Sequence, residues 1–444
     1  MLKTTSIRTF YILALTQFLS RIGTSMTSFA IGIKVFNDTG QVTPLALVGF
    51  FGIVPRILTF NVAGALTDRY DRRAVMALAD SGAAIGTLLL LLSIATGVFQ
   101  LWHLYLLSAV MSLFEVFQGP AFNASITTLV PDEQRDRANA VNMGTWAGAG
   151  LVAPLVAGGL FAIIGVTGVM AIDLLTFGVA VTVVLNVHIP RPVESEEGRE
   201  SRGSLWFEMR SGFVALWRRR LLFYLILFGM MLNFFGFMAG ITLTPYVLTL
   251  TGSEALLGTL MALMNAGMVT GAVVAMVWHP PIPRVIQVLG AILLIGVGMM
   301  ALGVARSPLA LGLAFPLLLM GHPLVASRMM SILQAKIPQD LQGRVMAVLS
   351  QLSLLATPPA YLLAGPLVDH VLEPAVGGPG WGAVAPLVGD QPGAGMGLLL
   401  VVNGLIVLIS AIAMLAWRDM RCMDDLLPDP APVATEAPLV ETTA

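Results

Sequence analysis

Among the ionisable side chains inside long apolar runs, where little water is available to solvate them, four stand out: Arg21, Arg56, Glu115 and Asp173. A charge at such a place costs several kcal/mol unless it is paired or wetted, so each must have a partner or a task. Proton coupling is the chemistry these four residues could share. Glu115 is the sharpest candidate, because low dielectric disfavours a charged carboxylate and lets it exchange a proton as its surroundings change. A static ion pair with Arg21 or Arg56 is the rival role. Asp173, in the outer third of its run, is the other carboxyl candidate, with a plain structural partnership as its alternative. His322, beside Pro323, titrates near neutral pH in its ordinary state, yet a lone histidine is more often a packing residue. No other histidine lies at metal-ligand spacing, so no metal site and no cofactor is expected.

A second group of charges has a tighter spacing. Gly64-Ala65-Leu66-Thr67-Asp68-Arg69-Tyr70-Asp71-Arg72-Arg73 falls between two apolar runs. Gly64 would let a helix end approach a neighbour closely. Asp68 can pair with an arginine or face a helix N-terminus, where the macrodipole favours an anion. Arg72 and Arg73 anchor the rim, with Arg69 beside them in the same loop. Such a cluster can latch two bodies together; the bland alternative is a positively charged loop with an incidental aspartate.

The elements that must position these residues follow from composition. Of 444 residues, 57% are hydrophobic and only 11% charged, against roughly 25% charged in soluble domains. Lipid is the solvent that fits. Continuous apolar runs, not alternating ones, predict helices, at 10–36, 43–66, 74–98, 102–129, 138–163, 167–188, 221–249, 256–279, 284–305, 309–335, 345–371 and 395–417. The first run is long enough to span a membrane and shows no cleavage site, so it reads as a transmembrane helix and not a signal peptide. The fold class is thus all-α membrane protein, with twelve spans in two six-helix bundles: residues 1–190, a polar linker at 191–220, residues 221–417, and a disordered tail at 418–444.

Lys and Arg set the orientation. Arg69, Arg72, Arg73, Arg135, Arg137, the linker, Arg284, Lys336, Arg344, Arg418 and Arg421 all fall on one side, so both termini are predicted cytoplasmic, in a cell membrane. Arg306 is the exception. The net charge of −1 gives no basic field for nucleic acid. The single cysteine, Cys422, excludes a disulfide framework.

The chain also repeats itself. Val130-Pro131-Asp132 through Arg137 corresponds to Ile337-Pro338-Gln339 through Arg344. Pro131 to Pro338, Arg137 to Arg344, and Gly158 to Gly365 are each a step of 207 residues. Repeated six-helix halves are a feature of transporters that rock about a central site.

With these residues in view, the loop from Gly64 to Arg73 resembles the signature of the major facilitator superfamily, G-x-x-x-D-R-x-G-R-R, with Asp71 where Gly is usual. Leu19-Ser20-Arg21-Ile22-Gly23, Phe117-Gln118-Gly119-Pro120-Ala121-Phe122, and Leu129-Val130-Pro131 with Arg137-Ala138-Asn139 are similar to the bacterial macrolide-efflux and siderophore-exporter branch. The resemblance implies twelve helices, alternating access and proton-driven export. The loop His279 to Arg284 lacks a second signature. Asp80, beyond the first one, is expected to bond to that loop.

In drug:proton antiporters of this superfamily the fifth span carries a glycine-rich motif. Here the same spacing reads Ala149, Ala153, Pro154, Ala157 and Gly158, which serves either as an inner seal or as an ordinary small-residue packing face. The resemblance also implies a cavity lined by spans one, four, seven and ten. Met26, Phe29, Phe117, Gln118, Asn233, Phe234 and Phe237 are therefore candidate contacts for amphipathic ligands, or else packing groups. The leading expectation is a monomeric exporter of an amphipathic small molecule, drug or metabolite, exchanging against protons. A proton-coupled nutrient symporter and a non-transporting scaffold are the alternatives. An enzyme should show clustered nucleophiles, bases or ligands at one membrane face, and an ATP-driven pump a G-x-x-x-x-G-K-[ST] loop; the sequence offers neither.

Overall fold

A computed structural model describes residues 7–187, 213–214 and 216–426. Most of the linker predicted at 191–220, and the tail beyond residue 426, lie outside the described residues. The described residues form no strand.

Five helices precede the linker: α1 (Ile7–Thr39), α2 (Val42–Arg69), α3 (Arg72–Ala95), α4 (Leu101–Leu129) and α5 (Arg135–Asn186). The last of these is two limbs. Gly165 breaks it with φ 65°, a left-handed backbone that glycine adopts without strain, and the chain turns back there. After the linker come α6 (Arg220–Thr251), α7 (Glu254–Val277), α8 (Arg284–Val304), α9 (Pro308–Met320), α10 (His322–Lys336), α11 (Gln339–Leu355), α12 (Thr357–Leu367) and α13 (Ala394–Ala416).

Ten of the described helical stretches are long and apolar enough to cross a membrane. One of them is the divided α5. α1 is not among the ten, despite its 33 residues. Thr16, Gln17, Ser20, Arg21, Thr24, Ser25, Thr27 and Ser28 dilute its hydropathy. Two runs expected to be continuous are interrupted. The run 309–335 breaks at Gly321, and the run 345–371 breaks at Ala356. In each case proline follows in the first turn of the next helix, Pro323 and then Pro358 and Pro359, and removes backbone donors that would continue the ladder.

Capping fixes several ends. Ser253 accepts from Leu256 N–H at 3.2 Å to start α7, and Ser307 accepts from Ala310 N–H at 3.2 Å to start α9. The Gly/Pro-rich loop before α13 is ordered by Glu373, whose carboxylate accepts from Gly393 N–H (3.2 Å) and Met396 N–H (2.9 Å). Residues 418–426, expected to be disordered, instead form two short helical turns. Met420 and Met423 anchor them, both fully buried in the apolar core.

The repeat is visible in the backbone. Pro131 has φ −56° and ψ 150°, and Pro338 has φ −53° and ψ 143°, each at the start of a helical segment. The same step of 207 carries the ends of α4 onto the start of α9 and the end of α10.

Helices α1–α5 pack among themselves, as do α6–α13, and the two sets meet along two seams. At one, α5 lies against α7. A Cβ built on Gly158 would stand 2.8 Å from the Glu254 carbonyl oxygen and 3.0 Å from Gly258 Cα. At the other, α12 lies against α2. A Cβ on Gly365 would stand 2.6 Å from Thr43 Cα, and one on Gly49 would meet the Tyr361 ring at 2.7 Å. The repeat-related glycines 158 and 365 thus allow backbone contact at equivalent seams. Both of these contacts lie toward the end of the molecule that carries Gly40 and Gly252, away from the Gly64–Arg73 loop.

Candidate functional site

Between the helices of the first set lies a cavity of about 490 Å³. Its wall includes Gln17, Arg21 and Thr24 from α1, Arg56 from α2, Asp80 from α3, Glu115 and Gln118 from α4, and Trp146 from α5. Three of the four intramembrane charges identified in the sequence, Arg21, Arg56 and Glu115, therefore face one space. Asp173 does not line it.

Each charge is held differently. Arg21 is tied to α5: its Nη1 donates to Asn142 Oδ1 at 3.3 Å and to Thr145 Oγ1. Its guanidinium stacks 4.3 Å from the Trp146 ring centroid and 5.6 Å from that of Phe122, a favourable placement of a cation over π density. Neutral partners thus hold Arg21 through Nη1 and its guanidinium face, and Asp80 acts on it only through space.

Asp80 is buried and accepts from Gln17 Nε2 at 3.0 Å and from Gln118 Nε2 at 3.4 Å; Gln118 also donates to Gln17 Oε1 at 2.6 Å. The expected bond from Asp80 to the signature loop is therefore corrected. Eight residues into α3 is more than two turns from the loop, and helix geometry carries the carboxylate into the bundle.

Glu115 and Arg56 are exposed to the cavity and feel each other's charge. Among the described residues neither forms an ion pair. Both charges are free to meet a ligand.

The small residues of α5 divide by face. Ala153 and Ala157 are fully buried against Met26 and Ala30 of α1, and Ala149 reaches the cavity wall. Pro154 and Gly158 face α7. The motif is thus a two-sided packing element that lets α5 approach α1 and α7 together.

Of the candidate ligand contacts, Gln118 lines this cavity. Met26 does not: it is 2% exposed, packed between α1 and α5. Phe117 is half-buried and outside the lining. Phe29, Phe234 and Phe237 pack against the apolar core of the second set, Phe237 with its ring 6.0 Å from that of Tyr361. Asn233 is half-buried on α6. The sequence missed Gln17, Asn142, Thr145 and Trp146. Their signal was present: Gln17, Arg21 and Thr24 follow helical spacing, as do Asn142, Thr145 and Trp146.

At the signature loop, Asp71 caps α3, its carboxylate accepting from Arg73 N–H at 2.9 Å. Arg72 donates to the Ala124 carbonyl and ties the loop to α4. The side chains of Asp68 and Arg69 lie outside the described residues. Gly64 gives no close approach here, since a Cβ on it would meet nothing within 4 Å. The seams form at the other end of the molecule, so no neighbour reaches it. Arg137 and Arg344 are exposed at this end.

The opposite end carries a contact the sequence gave no sign of. Asp369, in a short π-helical segment (Val368–Leu372), accepts from Val42 N–H at 2.9 Å and Thr43 N–H at 2.7 Å. A carboxylate of the second set thus caps the N-terminus of α2 in the first, where the helix dipole favours an anion.

A sequence model of the Major Facilitator Superfamily matches residues 13–358. The chain belongs to this superfamily. Macrolide efflux protein A of Streptococcus pyogenes is 24% identical over 367 residues, 82% of this chain and 90% of that protein. Multidrug efflux pump Tap of Mycobacterium tuberculosis strain H37Rv is 24% identical over 370 residues, 81% of this chain and 87% of that one. Among solved structures, a bacterial homologue of the human lysosomal transporter Spinster, inward-facing and unoccupied, superposes with a TM-score of 0.73 at 15% identity, covering 97% of this chain and 100% of that one. A bacterial homologue of the iron transporter ferroportin, also inward-facing, gives 0.69 at 14% identity, covering 93% and 99%. This Major Facilitator Superfamily chain is a multi-pass membrane transporter, with a small-molecule substrate and lipid around it.

Proposed function

We propose that the protein is a secondary active efflux transporter that exports amphipathic small molecules in exchange for protons. It works as a monomer, with twelve crossings and both termini cytoplasmic in a cell membrane. Residues 1–190 and 221–417 act as two bodies that rock about the shared seams, and 191–220 is the cytoplasmic linker. The single observation that carries this reading is a pair of opposite charges, Glu115 and Arg56, facing one cavity without an ion pair between them. Glu115 is the coupling carboxyl. Arg56 and Arg21 set the field around it, and Trp146, Phe60 and Phe177 give the apolar wall an amphipathic ligand needs. The relatives named as efflux pumps support the direction of transport.

Alternating access requires that each end open in turn. With the Gly40 end sealed by glycine contacts and the Asp369 cap, this conformation is read as closed outward. The signature loop, with Gly64, Asp68, Arg69, Arg72, Arg73, Arg137 and Arg344, forms the cytoplasmic latch in the alternate state. The test is reconstitution in proteoliposomes with an imposed pH gradient and a panel of amphipathic compounds. Wild type should accumulate a compound against its gradient and Glu115→Gln should not. Continued pH-driven accumulation by the variant would sink the assignment. Asp68→Asn is expected to cut transport while leaving membrane insertion intact.

A further inference from the structure

The cavity leaves one intramembrane charge unexplained. Asp173, on the second limb of α5, is 0% exposed. Thr24 Oγ1 donates to its Oδ1 at 3.4 Å. Its Oδ2 and the buried Thr27 hydroxyl lie side by side, a hydrogen-bond acceptor and a donor group with no well-formed bond between them. Gly23 makes this approach possible: a Cβ there would stand 2.6 Å from Asp173 Oδ1 and 2.5 Å from Thr176 Oγ1. The chain gives up a side chain on α1 to seat this carboxyl group, and gives it hydroxyl neighbours but no cation among the described residues.

The surrounding charges do not neutralise it. On α1, Arg21 is turned to Asn142, Thr145 and Trp146. On α3, Asp80 is engaged by Gln17 and Gln118. On α4, Glu115 adds like charge, and Arg56 on α2 faces Glu115. Among the described residues Asp173 has no ion pair. An ionised carboxylate in so dry a place is costly, whereas a neutral acid brings its own O–H donor. The Thr27 hydroxyl can serve either form, donating to an ionised Oδ2 or accepting from a protonated one, but only the neutral acid leaves no net charge in this dry site.

We propose that Asp173 is a second proton site, holding a proton on Oδ2 toward Thr27 and exchanging it with the cavity by way of Thr24 and Glu115. Thr24 is suited to the role because it both lines the cavity and bonds to Asp173. When the proton passes to the Glu115 carboxylate, Asp173 is left ionised with the Thr24 hydroxyl donating to it, and Glu115 becomes neutral. The reverse transfer restores the first state. The two like charges disfavour simultaneous ionisation, so the pair retains at least one proton. The role of this site in transport rests on the proton-antiport reading; its protonation does not.

Infrared difference spectroscopy of the full-length protein in nanodiscs tests the site directly. A protonated-carboxyl band is expected at neutral pH, lost in Asp173→Asn and kept in Glu115→Gln. No such band, or one that survives Asp173→Asn, overturns the proposal. Should Asp173→Asn fail to fold, Thr27→Val removes only the hydroxyl beside Oδ2 and should shift the band; an unmoved band overturns it equally. Thr24→Val should slow deuterium exchange of the band by about tenfold, the scale of one hydrogen bond to a charged group, and an unchanged rate removes Thr24 from the route. Loss of the band on adding sodium chloride at constant pH would make the occupant a metal cation and refute the proton. If wild-type proteoliposomes show no pH-driven accumulation while the band and its Thr24-dependent exchange remain, antiport falls and the proton site stands.

Discussion

The two helical sets descend from one repeat but are built to different ends. In the first, the buried apolar residues fall into three separate clusters, with a polar cavity between the helices. In the second, one large apolar cluster runs from Leu216 to Met423 and takes in Ile33 and Val42 of the first set, with a smaller one around Trp381 beside it. The step of 207 that superposes α4 on α9 and α10 carries Glu115 onto His322. One position thus holds a carboxylate facing a cavity, and the other a half-buried histidine next to a helix break. The same step carries Asp80 onto Gln287, which accepts from Arg328 Nε at 2.7 Å in place of forming a charged wall. Duplication supplied the frame. The charged cavity lies in one copy, and an apolar core fills most of the other.

The strongest way to break this comparison is to alter the paired positions. Glu115→Gln is expected to abolish pH-driven accumulation, while His322→Gln leaves it near wild type. Equal losses in the two variants would show that both halves carry the coupling. The next effect concerns the seams. Gly158→Leu and Gly365→Leu each force a side chain into backbone, an overpacking cost of about 1–3 kcal/mol. Each should shift the protein away from the state sealed at the Gly40 end. Labelling of a cysteine placed at Gly40 would report this, and transport should fall with it. If only one of the two glycines matters, the seams are not equivalent.

Asp369→Asn sharpens that point with a smaller effect. The amide has one acceptor oxygen, so one of the two bonds from Val42 and Thr43 is lost together with the charge, for which a helix N-terminus gives about 0.3–1 kcal/mol at exposed sites. A several-fold rise in labelling at the Gly40 end is expected, without loss of folding. No change would mean that packing of Gly365 alone seals the seam. The smallest effect is at the signature loop. Asp71→Gly restores the usual residue of the superfamily and exchanges an aspartate cap for glycine, a difference of only a few tenths of a kcal/mol. Thermal unfolding should hardly move. A large shift would mean that Asp71 does more than start α3.

Glu373 and Asp369 show how close residues part in legibility. Glu373 caps the start of α13 about twenty residues on, a local event at a helix entrance of the kind that a carboxylate before an apolar run suggests. Asp369 reaches a helix more than three hundred residues earlier, and nothing near it in the chain marks that partner.

What the sequence determined by itself follows from short-range rules. Apolar run length set where the long helices lie, polar residues diluted α1, prolines after Gly321 and Ala356 broke two helices, and the constant step of 207 announced the repeat. The charges worth attention were also visible, because a lone ionisable group in an apolar run is rare for energetic reasons. Tertiary structure alone decided which of them share a space. Arg21, Arg56 and Glu115 come together from three helices, Asp80 turns inward to two glutamines, and Asp173 hides behind Thr24. Gly64 and Gly158 look alike in the sequence, yet only Gly158 meets a neighbour, because packing between helices depends on which faces meet, and spacing along the chain does not fix that.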